Sequence, residues 1–533
     1  MITDPNPADK GFRSDGCQTP KRFSVVADLL PPPGIMECGG SPPLSLRRGL
    51  PRRRFKPSLA VLFVAAIFSP HAFAQQSLQP PPHAKVIPLN PAPGRFTEPS
   101  IAVNPKNPNQ IGAAFQVPTG IAYSEDRGET WQIAKHTAPE NYRVSGDVSL
   151  TYDSRGHAIL CYIAFDKLGT SQYWAHNATR NGVFIRRSLD GGKTWEANAI
   201  SVDEQPTRPV MPFEDKPYVV ADNNPNSPYV GNLYVGWTEF RLEKTVILFS
   251  RSTNGAKTWS PPQEISTHEG LPRDDTGAVE GFTAAAGADG TLYAAWADGS
   301  TIVMATSQDG GATFTPSRAI LDTAPSYYGV EAVERANGFP QVGMDPRNNR
   351  LFITFSDYRN GDVDVFCATS TDRGATWSPA VRVNNDPLHD GADQFFQWLS
   401  VDPSDGTANV VFYDRRADPN NRALSVVLAR STDGGQTFAN YTWAIQSFDP
   451  EGNFIGDYSG IAALNGRVYG VWTGRATTAP PHPQSNNPSA AKAPNEKTAD
   501  RAGNQEHPEE YSGLKMANTI IQLGIADFST PKQ

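Results

Sequence analysis

Short apolar runs recur along the chain, and polar turn residues separate them. A first set of seven predicted strands covers 100–103, 148–152, 218–221, 282–286, 341–344, 398–401 and 458–464. A second set follows at 111–116, 158–165, 233–240, 291–298, 351–357, 408–414 and 468–473. Third strands come next, as at 246–250 and 425–429. This regular series predicts an all-β fold of repeated antiparallel sheets.

One octapeptide with the pattern Ser-x-Asp-x-Gly-x-Thr-Trp/Phe occurs six times. The copies begin at Ser124, Ser188, Ser252, Ser307, Ser370 and Ser431. Asp bonds the backbone of its own turn, Gly supplies a positive φ, and the aromatic side chain buries against a neighbouring sheet. The third copy has Asn254 for Asp and Ala256 for Gly, so we expect its turn to be the least rigid.

Six copies in register resemble the Asp-box, or BNR, repeat of the sialidase-like β-propellers of secreted bacterial proteins. The resemblance covers residues 97–475 and implies four-stranded antiparallel blades. It also implies that the octapeptides are structural and lie on the face away from the active site. Seven first strands favour seven blades, and six blades, as in true sialidases, are the alternative. The run 85–89 would pair with a strand at 518–525 and close the ring.

The first 74 residues are interpreted as an export segment outside the fold. A precursor region, 1–56, ends in a basic cluster, and a signal peptide, 57–74, contains an apolar run and the small-residue site Ala72-Phe73-Ala74. The run is shorter than the ~20 residues that span a bilayer, although a retained anchor is the alternative. The propeller domain is then 75–528, with a disordered insertion at 476–512. We expect a secreted or periplasmic protein with no membrane association after cleavage.

Charge sharpens this interpretation. The whole chain has 47 Lys and Arg against 55 Asp and Glu, a net charge of -8. Without residues 1–74 the counts are 37 and 50, a net of -13. This acidic balance argues against a nucleic-acid partner, which would select a basic surface. Cys161 and Cys367 lie in separate apolar runs and are predicted to be buried free thiols.

Polar residues recur just before the first strands and at the ends of the second strands, which propeller topology brings to one face. Before the first strands these are Glu98, Asp147, Asp215, Glu280, Asp393 and Asp457. From this rim we choose the catalytic candidates Asp357, Asp414, Asp457 and Tyr458. The ligand-binding candidates are Arg241, Arg359, Arg416, Arg475, Asp215, Glu239 and Tyr358. Carboxylates can perform acid/base catalysis, and arginines can bind the carboxylate of a ligand. The alternative is that these acids and arginines only form ion pairs with each other.

The resemblance implies glycan binding, with glycoside hydrolysis of the sialidase type left open. A sialidase carries Arg-Ile-Pro on its first strand, whereas this chain has Thr97-Glu98-Pro99, so the arginine is absent and an acid stands beside its place. The expected function is a secreted propeller that binds glycans through the top face of its channel and hydrolyses them. The alternative is a non-catalytic glycan- or protein-binding propeller of the cell envelope. No cofactor is expected, although Ca²⁺ in the acidic rim is a further alternative.

Overall fold

The computed structural model describes residues 78–90, 92–116, 119–134, 138–166, 180–205, 212–443, 447–475 and 518–529. They belong to one compact unit, Gln75–Gln533. The predicted precursor region, signal peptide and 476–512 insertion lie outside the described residues. Within these ranges, no helix is long and apolar enough to cross a bilayer.

The described residues form short strands joined by turns. In chain order the strands are β1 (Lys85–Pro88), β2 (Thr97–Val103), β3 (Ile111–Gln116), β4 (Gly120–Ser124), β5 (Gln132–Ala134), β6 (Val144–Tyr152), β7 (Ala158–Phe165), β8 (Asn181–Ser188), β9 (Ile200–Gln205), β10 (Phe213–Ala221), β11 (Leu233–Phe240), β12 (Thr245–Ser252), β13 (Gln263–Glu264), β14 (Val279–Ala286), β15 (Leu292–Asp298), β16 (Thr301–Ser307), β17 (Arg318–Asp322), β18 (Tyr327–Tyr328), β19 (Ala336–Asn337), β20 (Gln341–Asp345), β21 (Arg350–Asp357), β22 (Asp364–Ser370), β23 (Val381–Arg382), β24 (Gln394–Val401), β25 (Ala408–Asp414), β26 (Ser425–Ser431), β27 (Ala439–Thr442), β28 (Gly460–Leu464), β29 (Arg467–Arg475) and β30 (Thr519–Asp527).

Seven four-stranded antiparallel sheets make a seven-bladed β-propeller, so seven blades are confirmed and six are wrong. Blades 1 to 3 are β2–β5, β6–β9 and β10–β13, and blades 4 to 6 are β14–β17, β20–β23 and β24–β27. Blade 7 has the order β28-β29-β30-β1, and the small β18-β19 hairpin lies between blades 4 and 5. Because β1 pairs with β30, both ends of the chain build the last blade and close the ring, as the sequence predicted.

The hydrophobic core lies between neighbouring blades. One cluster joins Ile163 and Phe165 of blade 2 to Phe213 and Trp237 of blade 3. The central blade strands, such as β7 and β25, are buried along their whole length, so each sheet packs both faces against its neighbours. Cys161 and Cys367 are free and buried in these layers, as predicted.

The six octapeptides form the same turn after the third strand of blades 1 to 6. In the second copy, the Gly192 N–H donates to Ser188 Oγ at 2.8 Å, and Thr194 Oγ1 donates to Asp190 Oδ2 at 2.6 Å. In the third copy, Asn254 Nδ2 instead donates to Thr258 Oγ1 at 2.7 Å. Ala256 there adopts φ 60°, a conformation that disfavours residues with a Cβ. Its lower rigidity stays a prediction.

The innermost strand of five blades carries a bulge at the same level. Strand register shifts there in β2, β6, β10, β14 and β24. The bulge residue has positive φ each time, in Glu98, Asp147, Lys216, Gly281 and Phe396. A bulge re-aims side chains, and a positive φ in a residue other than glycine is held only when the surroundings determine it. The strain therefore marks one level of the channel, near the start of the inner strands.

Candidate functional site

The bulges bring a buried group of charged and phenolic side chains to one mouth of the channel. This mouth cluster consists of Glu98, Asp147, Asp215, Lys216, Asp274, Glu280, Tyr327, Arg335, Asp457 and Tyr458. Blades 1 to 4 contribute members from their inner strands, and the segment before β28 of blade 7 contributes Asp457 and Tyr458. Asp274 lies in the loop before blade 4, whereas Tyr327 on β18 and Arg335 lie between blades 4 and 5. The cluster is therefore a product of the whole ring.

Lys216 lies at the centre of the mouth cluster, with its side chain 7 % exposed. Its Nζ is 3.0 Å from Glu280 Oε1, 3.2 Å from Asp215 Oδ2 and 3.2 Å from Asp457 Oδ2. Burial lowers the pKa of Lys216, but the surrounding carboxylates outweigh it and raise this pKa well above its ordinary value. Lys216 therefore stays positively charged in a place where water is scarce.

Arg335 supplies the second positive charge. Its Nε donates to Asp457 Oδ1 at 2.9 Å, a second guanidinium nitrogen donates to Asp457 Oδ2, and Nη1 donates to Asp274 Oδ2 at 2.5 Å. The guanidinium also lies over the rings of Tyr327 and Phe454, at 5.9 and 5.3 Å. The guanidinium therefore bonds both carboxylate oxygens of Asp457 and links that residue to Asp274.

Glu98 is an acid of the mouth cluster whose carboxyl accepts a single hydrogen bond among the described residues. It is 2 % exposed, and its Oε1 accepts the Asp457 backbone N–H at 2.9 Å. Its Oε2 is buried without a hydrogen-bond partner among the described residues. Burial first, and the charge of Asp457 second, raise the pKa of Glu98 to about 8. At neutral pH Glu98 is therefore mostly protonated.

The other acids of the mouth cluster divide into two kinds. Burial and a hydrogen bond with the Asp215 carboxyl raise the pKa of Asp147 well above its usual range. Burial likewise raises the pKa of Glu280, against the lowering effect of Lys216. Burial opposes ionisation of Asp274 as well, but Arg335 and Lys216 hold its pKa below the usual range. Protonated and ionised carboxyls thus lie side by side, an arrangement suited to proton transfer.

Tyr458 lies at the boundary between the mouth cluster and the channel interior. Burial, with Glu98 and Asp147 adding to it, raises its phenol pKa well above the ordinary value. Its ring is 5.4 Å from that of Trp398. This environment opposes the ionised phenol that a tyrosine nucleophile requires.

A cavity lined mostly by aromatic and apolar side chains continues from the cluster into the channel. Its space between atoms is about 460 Å³, open solvent included, and the lining includes Tyr218, Phe282, Phe339, Trp398 and Tyr458. Lys216 is the charged residue of this lining. The mouth therefore has a charged side and an aromatic side.

A segment between blades 4 and 5, residues 324–339, extends over the mouth, and we call it the cover hairpin. It contains β18, Arg335 and β19. The Gly452 N–H donates to Ala332 O at 2.7 Å, and Asn337 Nδ2 donates to Asp457 O at 3.0 Å, both on the side of blade 7. On the side of blade 6, Arg422 Nη1 donates to Glu331 Oε1 at 2.5 Å. The cover hairpin thus joins distant blades above the cluster.

The remaining predicted residues lie in pairs within their own blades. Arg359 Nε donates to the Asp357 carboxylate at 2.9 Å, and Arg416 Nε donates to Asp414 Oδ2 at 2.6 Å. Burial raises the pKa of Asp414 to about 6 although Arg416 opposes it. Arg359 and Arg416 are therefore each held by the acid two residues earlier in their own blade.

Four more candidates are also engaged locally. Arg475 Nη1 donates to Asp449 O at 3.0 Å and lies 2.8 Å from Glu451 Oε2. Arg241 pairs with Glu239 and, at 3.0 Å, with Glu264. Tyr358 is 42 % exposed and packs edge-on against another tyrosine. Of the predicted site residues, the mouth cluster contains Asp215, Asp457 and Tyr458.

Glu239 belongs to a second acidic group. Its carboxylate lies with those of Asp203 and Glu214, with their oxygens within 4.8 Å of one another. Glu214 Oε2 accepts the Trp237 Nε1–H at 2.5 Å, and burial followed by the charge of Glu239 raises the Glu214 pKa. In the mouth cluster, where the acids considered for Ca²⁺ lie, the Lys216 ammonium supplies the positive charge.

Sequence reasoning missed Lys216, Asp274, Tyr327 and Arg335. Lys216 directly follows a chosen residue, and its place before Pro217 at a repeated position of the inner strands was a usable signal. The other three lie in the loops before blades 4 and 5. The length of these loops on the top face was the only sign available.

Comparisons with known proteins give matches among solved structures. No family model matches this chain, and no curated protein matches it either. A protein of unknown function from Dyadobacter fermentans is 16% identical, with 62% of this chain and 93% of that chain covered and a TM-score of 0.42. The Hadza microbial sialidase Hz136 is 16% identical, with 68% and 70% covered and a TM-score of 0.41.

The α-L-arabinofuranosidase Arb93A from Fusarium graminearum is 12% identical, with 74% of this chain and 97% of that chain covered and a TM-score of 0.42. These scores are too low to carry an argument, so the propeller assignment rests on the strand order. The structural neighbours of this chain are sialidases and related glycosidase and lyase β-propellers.

Proposed function

We propose that the protein binds glycans at the mouth cluster and hydrolyses glycosidic bonds there, with Glu98 as the proton donor. The observation that supports this most directly is the buried Glu98 carboxyl, protonated at neutral pH beside the ionised acids. A general acid must carry its proton at the working pH and lie among groups that stabilise its anion. Lys216, which is fixed on the inner strand of blade 3, is the nearby cation that does so.

The reaction needs a second group to take a proton from water. The hydrogen-bonded Asp147 and Asp215 carboxyls are the candidates, because one oxygen of the pair can accept a proton while the other stays bonded. Glu98 gives its proton to the glycosidic oxygen as the C1–O bond breaks. Water forms the new bond to C1, and its proton passes to the pair. One proton leaves Glu98 and one proton arrives at the Asp147–Asp215 pair, so the hydrolysis balances without a cofactor.

A sialate is a poor match for this site. The position of the first sialidase arginine is Thr97, and Glu98 follows it. Lys216 and Arg335 already bind carboxylates of the protein, so neither is free to hold a ligand carboxylate. We therefore propose a glycan without a carboxylate at the reacting sugar.

Turnover of a panel of chromogenic glycosides, including a sialoside, tests the hydrolase. We expect Glu98→Gln to reduce turnover by about 100-fold or more, the usual scale of general acid catalysis. Lys193→Gln breaks an exposed ion pair with Glu125 in an octapeptide turn, outside the mouth cluster, and serves as the control, with turnover unchanged. Full activity of Glu98→Gln would remove Glu98 from the mechanism.

A non-catalytic glycan- or protein-binding propeller is the second candidate. It is favoured by the closure of the mouth, because the cover hairpin and its ion pairs leave Glu98 2 % exposed. Binding on a glycan array without turnover of any glycoside would select this candidate.

We also propose that the mature protein is exported and is secreted or periplasmic. Residues 57–74 support this through their apolar run and small-residue site. Amino-terminal sequencing of the mature protein tests it, with Gln75 as the expected first residue. Recovery of an uncleaved chain in the membrane fraction would favour the retained anchor.

A further inference from the structure

The charges of the mouth cluster do not balance within the protein. Among the described residues, six carboxyl groups, those of Glu98, Asp147, Asp215, Asp274, Glu280 and Asp457, surround two cations, Lys216 and Arg335. Part of the excess is removed by protonation, as in Glu98. A positively charged ligand would neutralise the remaining negative charge by forming ion pairs with these carboxylates.

One of the two cations belongs to the segment that covers the mouth. Arg335 lies on the cover hairpin, whereas Lys216 is fixed on the inner strand of blade 3. A glycan can reach Glu98 only if the cover hairpin moves, and Arg335 moves with it. Asp457 and Asp274 would then lose the guanidinium that now bonds to both. Buried acids that lose their cation are strongly unfavourable unless another cation replaces it.

Two further features fit a replacement cation. Phe454, whose ring now lies under the Arg335 guanidinium at 5.3 Å, belongs to the segment before blade 7 and offers a cation–π contact. Glu98 Oε2, 98 % buried as part of its residue, has no hydrogen-bond partner among the described side chains and backbone groups. A primary ammonium has three donors, enough to bond Asp457 and Glu98 together.

We propose that the glycan bound at the mouth cluster is an amino sugar with a free amine, whose ammonium takes the place that Arg335 holds in the closed form. This inference rests on the proposed function and specifies its substrate class. A neutral sugar would bring hydroxyl donors but no charge, and an acidic sugar would meet like charge. Arg335 then acts as an internal competitor for the ligand.

Calorimetric binding of glucosamine oligomers and of N-acetylglucosamine oligomers of equal length, at pH 6, tests the proposal. We expect the wild-type protein to bind the free-amine oligomer at least about 10-fold more tightly. Arg335→Gln removes the competitor, so we expect it to bind the free-amine oligomer several-fold more tightly still. Lys193→Gln, which breaks an exposed ion pair with Glu125 in an octapeptide turn, is the control and should bind as the wild type does.

Each outcome decides between the two proposals. Equal or tighter binding of the N-acetylated oligomer would overturn the amino-sugar assignment and leave glycan binding in place. Weaker binding of the free-amine oligomer by Arg335→Gln would also overturn it. If that variant does not fold, the preference of the wild-type protein between the two oligomers decides alone. Binding of neither oligomer by the wild-type protein, with no binding on the wider glycan array, would remove the proposed function itself. Loss of the preference for the amine when Ca²⁺ is added would assign the acids to a metal instead.

Discussion

The octapeptide turns and the mouth cluster use the same side chain, aspartate, in opposite ways. In the turn at Ser370, Asp372 is exposed and accepts hydrogen bonds from the Thr376 hydroxyl and backbone N–H, which lower its pKa to about 2. In the mouth cluster Asp147 is buried beside Asp215, and its pKa rises. Donors stabilise the first carboxylate, whereas burial and like charge destabilise the second.

The two kinds of carboxylate differ in where their partners lie along the chain. Turn carboxylates bond to atoms two to four residues away, so each turn is complete by itself. Mouth carboxylates depend on partners from other blades, as Asp457 and Glu98 do across 359 positions. A group that is poised between two protonation states is useful for chemistry, and one that is fully satisfied is useful for folding.

Removal of the central cation should have the largest effect. Lys216→Met leaves three close carboxylates without their ammonium, and we expect a loss of about 3–5 kcal/mol in the free energy of unfolding. Denaturant titration measures it. Lys193→Met, which breaks an exposed pair with Glu125, is the control and should change nothing measurable. Equal stability of the two variants would contradict the central role of Lys216.

The pH dependence of stability should separate the two regions next. Glu98 binds its proton more tightly in the folded protein than in the unfolded chain. Its contribution to the free energy of unfolding is therefore fully present below pH 4.5 and is lost as the pH rises towards 8. The slope is on the order of 1 kcal/mol per pH unit for one such group. Glu98→Gln should flatten this part of the curve, measured by unfolding at pH 5 to 8. An unchanged slope would contradict the raised pKa.

The turn carboxylates should show the reverse trend. Asp372 contributes stability above its ordinary pKa of 3.8, and this is lost as the pH falls towards 2. Asp372→Asn should therefore differ from the wild type at neutral pH and converge with it in acid. A difference that grows as the pH falls would show that the turn does not depend on an ionised carboxylate.

The smallest effect should come from the atypical third turn. Ala256 has φ 60°, so Ala256→Gly should relieve strain and stabilise the protein by about 1 kcal/mol. Ala305→Gly, in the extended strand β16, is the control and should destabilise the protein. A loss of stability in Ala256→Gly would mean that the turn holds Ala256 without strain.

The fold was predictable because its signals are local and repeated. Short apolar runs between turn residues predicted the strands, and the octapeptides set the repeat, so blade number and ring closure followed. The site was predictable in part, since Asp457, Tyr458 and Asp215 lie just before or within inner strands of known direction. Arg359 and Arg416, at the ends of second strands, are held by acids two residues earlier, and their ligand-binding role stays a prediction.

The sequence by itself therefore determined an all-β propeller of seven blades, its closure by both chain ends and the acidic rim of its channel. Only the tertiary structure decided which rim residues meet. Bulges turn Glu98, Asp147 and Lys216 towards one another, and the cover hairpin brings Arg335 to Asp457, 122 positions away. Strand periodicity depends on neighbours in sequence, whereas burial and charge at the mouth depend on the closed ring, which no local pattern records.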